Sequence, residues 1–482
     1  MINTIDAIII YVEFFLYFVG MFLIGCYALT KTSNNDQFVL GGRTLGPWVS
    51  GISSGASDMS SWLILGLPGA AYAGGLVDVF WLGLGVVVFA YLNWLIVAEK
   101  LRRYSERLNA ITVPNYLQNR FNADGSAIKI LSAIVILFFF TLYVSSGLKG
   151  GALLFSYVFD SSDFLGLVFT TIIVVSYTFL GGYIAVCWTD LVQGLLILAS
   201  LAFLTFLGYF ALFSANIDIT EVRPGALSIE TSWLSALSAI VFGLGYFGQP
   251  HILSRFMGIR SASEIASARR IAMTWTVLVL VLAICIGLIG IGYGELHSLA
   301  GVEGLGGDKE RIFLVLTYAL FHPVVAGLVL SAVLAALMST ADSQLLVLSS
   351  AISEDLPFFN KIEGEKKLWI SRLGVVVFAS TAMVIATFAN ESILSMVAYA
   401  WGGFGAAFGP LIILSVCWKG TTQWGAIAGI ISGTISIIVF KNFIVIADLY
   451  ELLPSFFLSL FVIVIISLIT PKPSAETIEA LR

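Results

Sequence analysis

The sequence predicts an all-α polytopic membrane protein built on two inverted five-helix repeats. Three observations carry that prediction. Of 482 residues, 59% are hydrophobic and only 11% charged, more apolar surface than a soluble chain of this length could bury. Apolar runs long enough to cross a bilayer recur along the whole chain. Two of them are interrupted in their middles, and they stand five spans apart.

The apolar runs fall near residues 7–29, 47–72, 76–98, 128–159, 164–185, 189–213, 233–257, 271–294, 323–351, 369–389, 392–418, 422–441 and 453–470, which makes thirteen. The first is too long for a signal-peptide core and lacks a basic start, so it reads as a retained span. An odd count puts the termini on opposite sides. With the N-terminus outside, the inner loops and tail hold sixteen lysines and arginines, and the outer loops hold four: Arg223, Lys309, Arg311 and Lys441. The positive-inside rule therefore orients the chain N-out, C-in. Residues 1–30 form an extra N-terminal span, 47–213 a first repeat, 233–418 a second repeat and 422–470 two further spans, all one transporter domain. The loops are too short for a soluble domain, 309–321 reads as a short surface helix, and no signalling module is expected after about Thr470.

The second span, GASDMSSWLILGLPG at 55–69, places Gly55, Ser57, Asp58, Ser60 and Ser61 where lipid-facing helix would be apolar. A carboxylate and loosened backbone at that depth must face protein or a water-filled cavity. Unwound backbone there presents carbonyls to a cation and amides to an anion, as secondary transporters do. A helix-packing seam of small residues accounts for the glycines but not for Asp58. In the seventh span, VFGLGYFGQPHILSRFM, Gly243, Gly245 and Gly248 weaken the helix and Pro250 removes a donor.

The ninth span carries the second cation signal. Ala336, Ser339, Thr340 and Ser343 recur at helical spacing and share one face. Two hydroxyls and a carbonyl facing a broken helix make the neutral oxygen shell that a hard cation requires. Hydroxyls bonding back to carbonyls one turn earlier are the competing reading. Asp58, Asp190, Asp342 and Lys149 are ionisable residues within spans. Asp190 reads either as a site carboxylate or as a cap of the sixth span, and Lys149 either as functional or as snorkelling outward. Trp62, Tyr143, Phe242 and Tyr246 could frame an organic substrate or simply pack. The four cysteines and three histidines form no metal or catalytic constellation, so no enzyme is expected, and no basic tract points to nucleic acid.

The strings GASDMSSWLILGLPGA, FFFTLYVSSG, GGYIAVCWTD, GLGYFGQPHILSRFM, AALMSTADSQLLVLSSAISEDL and AYAWGGFGAAFGP resemble the proline branch of the sodium:solute symporter family, over nearly the whole chain from Gly41. The resemblance implies a LeuT-type core with one span before it and two after it. It implies a sodium site on the carbonyls of Ala56, Met59 and Ala336 and the hydroxyls of Ser339 and Thr340, with Asp58 needed for sodium coupling. It implies a substrate pocket of Ser60, Ser61, Trp62, Tyr143, Phe242, Tyr246 and Pro250, and a gate arginine at Arg43. The resembled carriers have tryptophan, glycine and serine where this chain has Phe242, Ser61 and Asp342. In sialic acid carriers of the family an additional sodium site uses the acid matching Asp190. Here Asp190, Asp342 and Ser343 could form one, or make the first ion's exit sensitive to protons.

The expectation is thus a multi-pass protein of a bacterial inner membrane that imports L-proline with co-transported sodium by alternating access, with the lipid bilayer around it and no obligate protein partner. A sodium-coupled symporter of another small solute (a related amino acid, betaine, sugar or sialic acid) is the nearest alternative. A cation channel is the alternative from another class; it would conduct without substrate and accumulate nothing.

Overall fold

The computed structural model describes residues 4–29, 35–123, 125–178, 182–296, 307–359, 362, 365–444, 446 and 449–473. Of the arginines and lysines that orient the chain, Lys31, Lys361 and Arg482 lie outside the described residues, as does part of the outer loop expected at 295–322. Among the described residues there is no strand, only an isolated bridge between Leu45 and Ile259.

The principal helices are α1 (Thr4–Leu29), α2 (Pro47–Ala56), α3 (Trp62–Gly74), α4 (Val77–Arg107), α5 (Val113–Arg120), α6 (Ala127–Phe159), α7 (Asp163–Thr178), α8 (Tyr183–Ser214) and α9 (Trp233–Val241). They continue with α10 (Pro250–Gly258), α11 (Ile265–Leu296), α12 (Ile312–Leu320), α13 (Pro323–Ser350), α14 (Glu365–Phe388), α15 (Ile393–Cys417), α16 (Gln423–Asn442) and α17 (Leu452–Ile469). Among the described residues ten helices are long and apolar enough to span a membrane, and the bent pair ending in α10 brings the number to eleven. The other two expected spans fall on shorter pieces, α2 with α3, and α7.

Both interruptions have local causes. At the first, α2 stops at Ala56, the amides of Asp58 and Met59 both turn back to the carbonyl of Gly55, and the chain resumes at Trp62 through a wide π-turn. Pro68 follows that turn; it lacks an N–H and its ring crowds the carbonyl four residues back, so a regular α-turn is denied there. At the second, Phe242–Gly248 tightens to a 3₁₀ helix, Gln249 is extended (φ −80°, ψ 108°), and Pro250 starts α10 at a bend of 49°. Gly245 is required by contact as well as flexibility: a β-carbon there would lie 1.9 Å from Nε1 of Trp401.

Helices α13 and α15 are the most enclosed of the long helices, whereas α1 lies at the edge, against α8 and α13. The broken pairs pack between them, so both interruptions end up in the protein interior, where neighbouring side chains and not lipid meet the released backbone. The segment expected as a surface helix at 309–321 forms a 3₁₀ turn and α12, but Ile312, Phe313, Leu314 and Leu316 are buried. It is therefore tucked into the bundle end and does not lie on its surface. Its apolar run, IFLVL, has more hydrophobic positions than a one-sided surface helix needs.

Candidate functional site

At the end of α2, the carbonyl of Ala56 has no partner on its own helix. It accepts the Ser339 hydroxyl at 2.8 Å and that of Thr340 at 3.5 Å, both from α13. The same two hydroxyls lie 3.1 and 3.2 Å from the carbonyl of Ala336. Four of the five oxygens named for sodium thus cluster, each hydroxyl within hydrogen-bonding range of both carbonyls, on residues that are fully or nearly fully buried. The fifth, the carbonyl of Met59, belongs to the adjoining unwound segment. Each hydroxyl carries a single proton and must choose between the two carbonyls, so the group has more acceptor capacity than donors, which is what a cation uses. The reading in which the hydroxyls only bond back one turn describes half of this geometry.

Asp58 stands apart from that cage. Its backbone carbonyl accepts the Tyr143 hydroxyl at 2.8 Å and the Trp62 indole N–H at 3.2 Å. Its carboxylate accepts the Tyr246 hydroxyl from the second interruption through Oδ2, while Oδ1 has no partner. Trp62, Phe242, Tyr246 and Trp401 then form an aromatic box: Phe242 stacks on Trp401 at 5.5 Å and 5°, Trp62 lies 6.1 Å from Phe242, and Tyr246 meets Trp401 edge-on at 4.9 Å. Trp401 donates its N–H to the Phe242 carbonyl at 2.8 Å, and Gln249 donates to the carbonyls of Gly245 and Trp401. The bonds to Phe242 and Gly245 fix carbonyls of the 3₁₀ stretch, and that from Gln249 to Trp401 ties the stretch to α15. Ser60 is buried in the first interruption with its hydroxyl unpartnered. Ser61 packs against α6 so closely that a β-carbon on Gly150 would come within 2.4 Å of it. Pro250 sits below the box and lines a narrow cavity that runs past Arg255 and Ser350 to Asp355.

Asp190 lies two turns inside α8, and Gly182 is the residue at that helix's N-terminal cap, so Asp190 does not cap it. Its Oδ2 accepts from Ser53 of α2 at 2.6 Å and from Arg255 of α10 at 3.1 Å. Arg255 also donates to the hydroxyls of Ser53 (3.1 Å) and Ser343. A guanidinium therefore lies between Asp190 and Ser343, two of the three residues named for an additional sodium. Asp342 is fully buried on the α13 side of this group, within electrostatic reach of Tyr17 of α1.

The two ends of the bundle are laced differently. On the side expected to face the cytoplasm, Arg43, in the left-handed region (φ 57°), donates to Ser105, Ala110 and Met257, while the Leu45 backbone beside it donates to Gly258 and accepts from Arg260. On the opposite side, Glu310 accepts the Ile393 amide at 2.9 Å and caps the start of α15. Burial, reinforced by Asp308, pushes the Glu310 carboxyl up to about 7, against the pull of the Ile393 amide and Lys149. Lys149 reaches outward to the carbonyls of Ala389 and Glu391, the geometry of the snorkelling reading.

Sequence reasoning missed Trp401, Arg255, Gln249 and Glu310. Trp401 stands just before a glycine run, GGFG, that lets α15 approach the second interruption, a signal that could have flagged it. Arg255 carried no such mark: near the end of a span it reads as an interfacial cation.

The model of the sodium:solute symporter family matches residues 38–433. The high-affinity proline transporter PutP of Bacillus subtilis is 44% identical over 463 residues, covering 94% of this chain and 97% of that protein. The osmoregulated proline transporter OpuE of the same organism is 42% identical, covering 95% and 94%. The sodium/proline symporter of Escherichia coli is 42% identical, covering 96% and 94%. Among solved structures, a substrate-bound, outward-open sodium-coupled sialic acid symporter superposes with a TM-score of 0.80 at 18% identity, over 97% of this chain and 98% of that one. The nucleobase-cation-symport family transporter Mhp1 gives 0.59 at 14% identity, over 93% and 99%. At these identities the structural likeness speaks for the fold, which is of the LeuT type.

Proposed function

This chain belongs to the sodium:solute symporter family, and from that premise we propose that it imports L-proline with sodium across the bacterial inner membrane by alternating access. The observation that carries the reading is the carbonyl of Ala56, shared by Ser339 and Thr340 across the first interruption and one turn from the aromatic box. Thirteen spans with the N-terminus outside, arranged as two repeats within 47–213 and 233–418, complete the topology.

Sodium binds between the first interruption and α13, on the carbonyls of Ala56, Met59 and Ala336 and the hydroxyls of Ser339 and Thr340. Proline lies in the box of Trp62, Phe242, Tyr246 and Trp401, with Tyr143, Ser60, Ser61 and Pro250 around it, its ring against aromatic faces. Asp58 joins the two sites: its backbone meets Trp62 and Tyr143, and its carboxylate meets Tyr246. An ion that fixes the first interruption therefore also fixes walls of the pocket, and the coupling runs equally in both directions. Arg43 holds the inner face closed until both sites are filled. One sodium entering at about −130 mV contributes roughly 3 kcal/mol. A tenfold sodium gradient adds about 1.4 kcal/mol, so accumulation near a thousandfold is within reach per ion.

The deciding experiment is labelled-proline uptake into proteoliposomes with an imposed sodium gradient, and with potassium in its place. Concentrative, sodium-dependent uptake is expected. Sodium-driven uptake of a betaine or sugar with none of proline would move the substrate elsewhere in the family, and current without proline would favour a channel.

A further inference from the structure

His251 is the second residue of α10. It is fully buried, and neither ring nitrogen has a hydrogen-bond partner. Its ring lies edge-on to Phe140 and Tyr143 of α6, at centroid distances of 5.4 and 6.4 Å. Phe140 in turn rests on Phe404 of α15 at 4.3 Å. Imidazole always presents polar nitrogens, at least one of them an N–H, and burying both unmet carries a cost. The side-chain donors of its chain neighbours escape that cost, although the acceptor Oε1 of Gln249 is also unmet. Gln249 donates to two carbonyls, the Tyr183 hydroxyl to that of Ser254, and Arg255 to Asp190. The imidazole is the polar side chain of this helix that the protein itself does not satisfy.

Its place in the helix says what would satisfy it. Gln249 is extended and Pro250 has no N–H, so the amides of His251 and Ile252 are the first donors of α10 and have no carbonyl behind them. Two unmet amides and an imidazole N–H at the positive end of a helix are complementary to a carboxylate. Tyr143, against which the ring lies, is the residue whose hydroxyl meets the first interruption, so the position adjoins the proposed substrate box. We propose that His251, with the amide end of α10, receives the carboxylate of the transported amino acid. The assignment rests on the amino-acid transport reading above and adds the group that selects an acid over its neutral analogues. A sugar, which has no carboxylate, gains nothing from it.

The test sets proline against prolinamide, which keeps the ring and the amine but replaces the carboxylate with a neutral amide. Competition with labelled proline is measured on the purified full-length carrier in lipid nanodiscs with sodium. A hydrogen bond to a charged group is worth roughly ten- to a hundredfold in affinity. The wild type should prefer proline over prolinamide by at least that factor. In His251→Ala the preference should collapse by the same factor, through weaker proline binding, while prolinamide affinity changes little. His251→Gln, which keeps an N–H donor, should recover part of the preference. Undiminished preference in His251→Ala overturns the proposal. Should that variant fail to insert, the wild type labelled with ¹⁵N-histidine decides, since the chain holds only three histidines. One imidazole must shift on adding proline and not on adding prolinamide; no shift with proline overturns the proposal. A wild type that binds no amino acid at all overturns the transport reading and this one with it, whereas retained discrimination in His251→Ala overturns this one alone.

Discussion

The hydroxyl of Tyr246 donates to the carboxylate of Asp58, so the second interrupted span is tied to the first at the point where each is broken. Tyr246→Phe keeps the ring against Trp401 and removes only that tie. Proline affinity should fall, and the sodium requirement should rise with it, because one bond holds both elements. Asp58→Asn should cost part of the same energy, so the double variant should be less impaired than the two losses summed, by about 1 kcal/mol or more. Strict additivity in binding measurements would show that the tie plays no part in coupling.

Thr340→Ala removes one oxygen of the proposed cation cage and leaves a residue that packs in a helix. Losing a contact to a charged group costs about 1.5–3 kcal/mol, so half-saturating sodium should rise roughly ten- to a hundredfold. Proline affinity at saturating sodium should stay close to wild type. Sodium titration of proline uptake reads this directly, and an unchanged midpoint would take Thr340 out of the cage.

Phe242→Trp enlarges one wall of the box where Phe242 is stacked on Trp401 and Tyr450. Overpacking costs about 1–3 kcal/mol unless the ligand space absorbs the extra ring. Proline affinity should therefore change several-fold, with the sodium midpoint little moved. Tyr246→Ala should weaken proline more than Phe242→Trp does, since it loses the wall and the tie to Asp58 together. Wild-type parameters in both variants would place the substrate elsewhere.

The interruptions were legible in the sequence because their causes are local. Serine and aspartate at mid-membrane, glycines at close spacing and a proline each act on the backbone within a turn or two. The cage was legible for a similar reason, since Ala336, Ser339 and Thr340 share one helical face and needed only a carbonyl opposite. The partners of Asp58 and Asp190 were not. Tyr246 and Arg255 reach them from distant parts of the chain, and nothing in the order of residues says which buried carboxylate meets which donor. Tyr17 shows the same limit: α1 reads as an accessory span, yet its hydroxyl receives a bond from Gln193 and lies beside Met338, next to the cage residues.

Glu310 makes the contact between the 309–311 turn and α15 pH-dependent. Its carboxyl is pushed up to about 7 from the ordinary 4.5, with burial as the leading cause. A raised pKa means that the folded contact favours the protonated form. Its contribution is complete below about pH 4.5 and is lost as pH rises through 7. Wild type should therefore lose stability relative to Glu310→Gln between pH 5.5 and pH 8, because the amide cannot ionise and still accepts from Ile393. Thermal unfolding of both proteins across that range is the measurement, and parallel curves would show that Glu310 does not titrate there.

Arg255 bears on how many ions move. Its guanidinium lies between Asp190 and Ser343 and supplies the positive charge that an additional sodium would bring to this group. One charge per proline is therefore expected in the wild type, and the same in Asp342→Ser. Two charges in the wild type falling to one in Asp342→Ser would instead establish a second ion beside Asp342. Arg255→Gln sharpens the comparison. It leaves Asp190 buried with only Ser53 as donor, and stranding one partner of a buried pair costs about 3–5 kcal/mol. The protein can meet that cost by unfolding more readily or by drawing a cation to Asp190. A variant that still transports should then carry two charges per proline and depend more steeply on sodium. If it transports with full stability and a single charge, Arg255 is not the fixed counter-ion of Asp190.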